Sequence, residues 1–375
     1  MADVHAESET PRAADESQAP PSERIGALHW LRQNLFSSLP NTILTLLCLY
    51  LLWLAVPPIL NWAIFDATIS GQTRDACAAA PGGACWTFVK VRFAQFMYGF
   101  YPADERWRIN LAFVILIIAF IPLFIRGFQH KIALGAGLLV IFPVIAFYLF
   151  RGGALGLPLV PTGRWGGLFL TLIIAGVGIV ASLPIGIVLA LGRRSHMPVI
   201  RMLCTGFIEL VRAVPLITIL FMASVMLPLF LPQGMNFDKL MRALVGVALF
   251  ASAYMAEVVR GGLQAIPKGQ YEAAEALGLS YWKMMGLIVL PQALRIVIPG
   301  IVNTFIGLFK DTTLVLIIGL FDLLGIVQAA LSDANWLGFA LEGYVFAGFG
   351  FWIFCFAMSR YSMRLERRLG GGQKR

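Results

Sequence analysis

Charge is scarce in this chain. Only 13% of its 375 residues are Asp, Glu, Lys or Arg, whereas 59% are hydrophobic and the mean hydropathy is +0.79. A soluble globular protein carries about 25% charged and about 45–50% apolar residues, so a water-soluble fold is excluded and the chain belongs in a bilayer. Histidine is rarer still. The four histidines are scattered, and none of the five cysteines stands at metal-ligand spacing, so no metal site is expected. There is no GxxxxGK[ST] phosphate loop, and no Ser/His/Asp or Cys/His set that one cleft could gather. The chain is therefore expected to be no enzyme and to hold no cofactor of its own. No basic start followed by an apolar core opens the first 30 residues, so no secretory signal is expected, and no internal repeat is present.

Apolar length is abundant. A helix needs roughly 17–25 residues to cross about 30 Å of hydrocarbon, and uncharged runs of that order fall at Gln33–Phe65, Ile109–Ile125, Ile132–Phe150, Trp165–Gly192, Ala213–Phe237 and Gly343–Ser359. Two shorter runs, Ala243–Ala256 and Ile296–Phe309, continue past a single charge. The reading is an all-α integral membrane protein of eight transmembrane helices. Residues 1–24, rich in Ala, Pro, Ser and acid without apolar periodicity, read as a disordered tail.

The net charge of +9 follows a membrane rule rather than a nucleic-acid one. Loops 126–131 and 193–201, the stretch 260–283 and the tail with Arg360, Arg364, Arg367 and Arg368 concentrate basic residues. The intervening segments are near neutral, or acidic as with Asp322, Asp333 and Glu342. Positive-inside counting puts both termini and the 260–291 loop in the cytoplasm, and segment 151–165 outside. Cys48, Cys204 and Cys355 lie in apolar runs as small hydrophobes. Cys77 and Cys85 flank AAAPGGA in a loop expected outside, where they either pair or remain two thiols. Closing so short a loop constrains the unfolded chain by roughly 2–3 kcal/mol.

Residues 272–291 read EAAEALGLSYWKMMGLIVLP. Ala273, Ala274 and Ala276 are small helix formers that allow close approach to another surface. Gly278 suits a left-handed helix end and Ser280 the N-cap of the next helix. Tyr271, Ala274 and Leu277, at three-residue spacing, give one short face for a partner groove. Glu272-Ala273-Ala274, then Gly278, then Ile288-x-Leu290-Pro291 resembles without departure the EAA signature of permease subunits of bacterial binding-protein-dependent ABC importers.

Residues 253–262, AYMAEVVRGG, followed by Ile266-Pro267-Lys268-Gly269-Gln270, are similar to the stretch preceding that loop in the His/Glu/Gln/Arg/opine permeases. Arg212-Ala213-Val214-Pro215-Leu216 resembles their RGTPL element, with Ala and Val in place of Gly and Thr. Lys310-Asp311-Thr312-Thr313-Leu314 resembles KDTSL. The resemblance covers about 165–368 and implies a five-helix type I core, with 260–291 as a loop coupled to an ATPase. Residues 25–164, with three extra spans and an outer loop, resemble the extension of the longer permease subunits of general L-amino acid importers (AapM type); 369–375 form a short tail. The implied partners are a cytoplasmic ATPase dimer carrying ATP and Mg, a second homologous permease in a heterodimer, and a periplasmic amino-acid-binding protein. The implied place is the bacterial inner membrane.

Ionisable groups within apolar spans mark a candidate path, because each is costly in hydrocarbon and faces a cavity or a partner. Asn303, Gly307, Lys310 and Asp311 share a face by i, i+4, i+7/8 spacing, with Thr313 and Glu257 as further candidates. The Lys310–Asp311 pair serves either the path or helix packing. Glu257 with Arg260, and Glu209 with Arg212, each three apart, read as interface or gate salt bridges. Pro184, Pro215 and Pro299 are expected to kink spans. The rival readings are a secondary transporter or channel, which has no use for an EAA loop, and a non-transporting scaffold, for which the intramembrane charges would be gratuitous.

Overall fold

The computed structural model describes residues 27–78, 82–125, 127–153, 156–230, 232 and 237–370. The 1–24 tail lies outside them, as do residues 371–375. Helices of eight residues or more are numbered here in chain order. Two compact units divide at Ala67/Thr68.

The first unit holds α1 (Ala27–Asn34) and α2 (Leu39–Leu60). Ser38 caps α2, its Oγ accepting from the Asn41 amide, and a proline occupies the first turn, where a missing N–H is harmless. Pro57 and Pro58 remove two donors, and the helix continues as a π turn over Asn61–Phe65. No side chain of α2 is buried.

The second unit contains α3 (Trp86–Tyr98), α4 (Arg106–Phe124), α5 (Lys131–Arg151), α6 (Gly167–Arg193), α7 (Pro198–Ala213) and α8 (Lys239–Ala265). After these come α9 (Lys268–Ala276), α10 (Ile298–Asp311), α11 (Leu323–Leu331) and α12 (Ala340–Gly370). Among the described residues seven helices are long and apolar enough to cross a membrane: α2, α4, α5, α6, α8, α10 with its 3₁₀ continuation to Ile318, and α12. The expected span Ala213–Phe237 is not one helix. Val214 is extended, Pro215 cannot donate, and the chain bends by 103° between α7 and Leu216–Phe230. Taking the bent pair as one span gives eight. Of the other two prolines expected to kink, Pro184 sits inside an unbroken α6 and Pro299 lies in the first turn of α10.

The centre of this unit is the approach of α6 to α8. Gly178, Ser182, Gly186 and Ala190 form a buried stripe of small residues at four-residue spacing. Lipid tails are as apolar as leucine, so helices associate in a bilayer by close packing rather than by escape from water. A Cβ added at Gly186 would lie 2.8 Å from Met255 Cβ and 3.1 Å from the Ala256 nitrogen, and one at Gly178 would lie 2.8 Å from Leu308.

Residues 68–164 pack with the core instead of standing apart from it, so the boundary expected at 164/165 is not a boundary of compact units. Tyr101, Ile109, Ala112, Ala146 and Phe150 share one buried cluster with Trp165, Phe169 and Leu170. The Tyr101 hydroxyl donates to the Phe150 carbonyl at 2.7 Å. Arg108, 0% exposed, donates from Nε to Glu105 at 2.8 Å and from Nη1 to the Pro158 carbonyl at 3.0 Å, so its buried charge is paired. Cys77 and Cys85 form a disulfide with Cα atoms 5.6 Å apart. The Cys85 amide donates to buried Glu342 Oε1 of α12 at 2.9 Å, and Arg92 of α3 pairs with Asp333. Together with Phe88, which contacts Trp336 and Phe339, these tie α3 to the start of α12. Asp322 caps α11, accepting from the Leu324 and Gly325 amides, while burial pushes its carboxyl to about 6.

Two outcomes are expected. Gly186→Ala forces a side chain into the α6–α8 seam and lowers stability by about 1–3 kcal/mol, whereas Gly176→Ala, on the same helix with nothing within 4 Å, does not. Equal melting temperatures for both variants in detergent would overturn the seam. Asp322 has a folded pKa above its ordinary 3.8. Its stabilising contribution is therefore complete below about pH 4 and lost as pH rises through about 6, up to about 3 kcal/mol at about 1.4 kcal/mol per unit. The melting temperature should fall between pH 4 and 7, and Asp322→Asn, which can still cap, should flatten that slope; parallel slopes would refute it.

Candidate functional site

The segment between α8 and α10 is built as a hinge-like pair of helices. Ile266 is extended, Pro267 opens α9, and α9 ends at Leu277 with Gly278 left-handed at φ +69°. The Gly278 amide bonds the Glu275 carbonyl at 2.9 Å and the Leu279 amide bonds the Ala274 carbonyl at 3.2 Å, the two hydrogen bonds of a Schellman end. A β-carbon is disfavoured at positive φ, so Gly278 is required by the turn and not by crowding. Ser280 then stands at the N-cap position with no side-chain cap bond. The chain runs on helically as Tyr281–Met284, a π turn Met285–Val289 and Leu290–Ile296. Pro291, lacking an N–H within this run, accounts for the π turn ahead of it.

Of the face expected to enter a partner, Tyr271 and Ala274 are anchored within the protein, and Leu277 is exposed. Ala274 is buried, and the Tyr271 hydroxyl donates to the Leu263 carbonyl at 3.0 Å beneath the Arg194 guanidinium, 5.6 Å from the ring. Arg194 in turn donates to Tyr271 and to the Leu263 carbonyl, both at 3.1 Å. That side of α9 is the anchored side, in one buried cluster with Met255, Val259, Met284, Val289 and Ala293. The free side carries Glu272, Ala273, Glu275 and Ala276, then Leu277 and, past Gly278, Tyr281 and Trp282. Leu277 is 76% and Trp282 71% exposed. Leu290 is half-buried and Pro291 exposed. Burial pushes the Tyr281 hydroxyl above its ordinary range, against the lowering by Arg194. The exit helix is locked to α8: a Cβ on Gly262 would meet the Ala293 carbonyl oxygen at 2.7 Å, whereas one on neighbouring Gly261 meets nothing.

Near the same end, Glu257 of α8 is the hub of a charge cluster. It accepts from Arg193 of α6 and from Arg260 at 2.8 and 2.9 Å, with Arg212 of α7 at 3.7 Å. The expected Glu257–Arg260 pair is present. The expected Glu209–Arg212 pair is not; Glu209 binds Arg193 at 2.9 Å. One carboxylate thus joins three helices.

On α10, Pro299, Asn303 and Lys310, with Ile317 beyond, fall on one uncovered face, while Asp311 and Gly307 are half-buried. Lys310 and Asp311 form no direct ion pair with each other or with any described residue, although their opposite charges still attract at longer range. The Thr313 hydroxyl is spent locally on the Lys310 carbonyl at 2.9 Å. Glu257 is apart from this stripe: Val258 touches Gly300 at the start of α10, and Lys310 lies ten residues further, about 15 Å along the helix. Leu277 was on the face read from the sequence, but the Tyr281–Trp282 part of this exposed ridge was missed, though two adjacent aromatics three and four residues past Gly278 were a visible signal.

Comparison with known proteins bears on this architecture. The family described as binding-protein-dependent transport system inner membrane component matches residues 182–371. The chain is 59% identical to the inner membrane amino-acid ABC transporter permease protein YhdY of Escherichia coli (strain K12), over 92% of this chain and 94% of that one. It is 42% identical to the glutamate/glutamine/aspartate/asparagine transport system permease protein BztC of Rhodobacter capsulatus, over 93% and 95%. A shorter relative, the probable glutamine ABC transporter permease protein GlnP of Bacillus subtilis, is 33% identical over 54% of this chain and 92% of its own length. An EAA loop on a Schellman turn, a bundle of membrane helices and these matches agree: the chain belongs to the inner-membrane components of binding-protein-dependent transport systems, as a permease subunit of an amino-acid ABC importer.

Proposed function

We propose that this permease passes polar amino acids, acidic ones and their amides included, from periplasm to cytoplasm along the Asn303–Lys310 face of α10, driven by an ATPase seated on the Leu277–Trp282 ridge. The observation that carries the path is the exposed, unpaired Lys310. A cation in the interior of a span cannot rest against lipid, so its face borders a cavity, and a second, homologous permease subunit in a heterodimer supplies the opposite wall. An amino-acid carboxylate moving through would meet Lys310 as its counter-charge. The relative named for glutamate, glutamine, aspartate and asparagine transport supports this substrate class.

Orientation is supported by chemistry at the two ends of the bundle. The disulfide, α3 and residues 156–165 gather at the Gly167 end of α6, where Gly99 bridges Trp165 and Gly166 bridges Phe321. Disulfides persist in the periplasm. Lys131, Arg193, Arg194, Arg201, Arg260 and Lys268 lie toward the other end, as a cytoplasmic side requires. The coupling loop and both termini are then cytoplasmic. A binding protein delivers substrate to the disulfide side, and ATP and Mg belong to the ATPase dimer. ATP-driven closure, transmitted through rigid helices, switches the cavity from outward to inward opening.

Two tests follow from this reading. Leu277→Asp and Trp282→Asp should each leave the permease inserted but strip the ATPase from the copurified complex, with uptake lost in parallel; wild-type ATPase stoichiometry in both variants would sink the docking ridge. Lys310→Met keeps the stem and removes the charge, breaking no direct ion pair. Uptake of glutamate should drop at least tenfold, about 1.4 kcal/mol on the limiting barrier, with normal assembly. Unchanged glutamate uptake would remove Lys310 from the path.

A further inference from the structure

The amphipathic helix α7 carries a feature that transport does not use. Val199, Met202, Leu203, Gly206 and Leu210 stand at i, i+3, i+4, i+7 and i+11, so they form one stripe, and every one of them is exposed. The opposite side of α7 is occupied by the core, with Ile208 fully buried and a Cβ on Gly192 meeting Cys204. Beside the stripe lies a groove of about 540 Å³ lined by His196, Pro198, Arg201, Met202, Thr205 and Gly206. Neither Arg201 nor His196 has a side-chain hydrogen bond or ion pair, although the next arginines along, Arg193, Arg194 and Arg212, are all engaged. The 103° bend at Pro215 sets α7 across the direction of Leu216–Phe230. When that segment crosses the bilayer, α7 runs near its plane, in the headgroup layer where such helices bury an apolar face and expose a basic one.

We propose that this groove binds an anionic phospholipid, its phosphate held by Arg201 and His196 and an acyl chain lying along Met202, Leu203 and Leu210. Arg201 is permanently charged and offers forked donors matched to a phosphate. Thr205 lines the same groove. The apolar stripe continues from the mouth of the groove, which suits a ligand with a charged head and a long hydrocarbon tail and not a free anion. The leaflet is cytoplasmic on the orientation proposed above; the binding itself is independent of it.

The test uses the purified, assembled transporter, exchanged into vesicles of phosphatidylglycerol and phosphatidylcholine at equal proportion, with retained lipid counted by native mass spectrometry. The wild-type complex should retain phosphatidylglycerol over phosphatidylcholine by about fivefold or more. Arg201→Gln should reduce that preference about fivefold, the factor for about 1 kcal/mol per basic side chain at an anionic surface. Met202→Asn should lower retention through the acyl arm alone. Equal retention in wild type and Arg201→Gln overturns the site. So does displacement of the lipid by millimolar inorganic phosphate, which would make the ligand a free anion, or quantitative cross-linking of Met202→Cys to another subunit, which would make the stripe a protein interface. Loss of assembly in Arg201→Gln would contradict the free state of that side chain. Because retention is read without transport, its failure leaves the uptake and ATPase-docking results standing, and theirs leave it standing.

Discussion

The distance between α6 and α8 is the constraint on which the rest of the bundle depends. In hydrocarbon the two helices gain nothing by hiding leucines, so their association rests on contact area, and contact area rests on the absence of side chains at Gly178 and Gly186. Close approach also sets the register. With Met255 and Ala256 fixed against Gly186, Glu257 comes within reach of Arg193 at the last turn of α6, and Arg194 comes over Tyr271. Charges that would be costly near a bilayer become mutually satisfied only because the backbones are this close.

The disulfide end solves a different problem. Helices α3, α4, α6, α8, α11 and α12 all start there, and their first turns and short polar connections need partners away from bulk water. The solution is polar and local: Thr171 accepts from the Leu323 amide at 3.0 Å, Asp322 caps α11, Glu342 receives the Cys85 amide, and Arg108 reaches the Pro158 carbonyl. Phe150, Trp165 and Phe169 fill the space between, with the Phe150 and Phe169 ring centroids 4.8 Å apart. This cap explains why residues from Thr68 onward form one unit with the core.

What the sequence disclosed and what it withheld divide along a physical line. Features set by one residue's own chemistry were readable: the left-handed Gly278, the apolar spans, the bend at Pro215. Features set by partners distant in sequence were not. Tyr271 and Ala274 lie on one face by spacing, but spacing does not say whether that face meets a partner or its own core; the Leu263 carbonyl and Arg194 decide it. Glu209 and Arg212 are three apart on α7, yet Arg193 from another helix takes Glu209. Lys310 next to Asp311 resembled a pair, but adjacent residues on a helix diverge by about 100° and do not face each other.

These contacts define how motion at the ridge would reach the proposed path. Trp282 and Leu277 project from a segment whose other side is packed through Met284, Val289 and Ala293 onto α8, and Ala293 allows no gap at Gly262. A displacement of the ridge therefore cannot be absorbed within the loop and is passed to α8 and, through Val297, to the start of α10. The compliant element lies next to this lever: Glu257 has three arginines on three helices and only two oxygens, so one ion pair can lengthen as another shortens at small net cost, as the 3.7 Å separation from Arg212 already illustrates. Rigid packing on one side and shared ion pairs on the other thus divide the bundle: α8 and α10 are coupled by close packing, whereas α7, which bends by 103° at Pro215, meets Glu257 through Arg212.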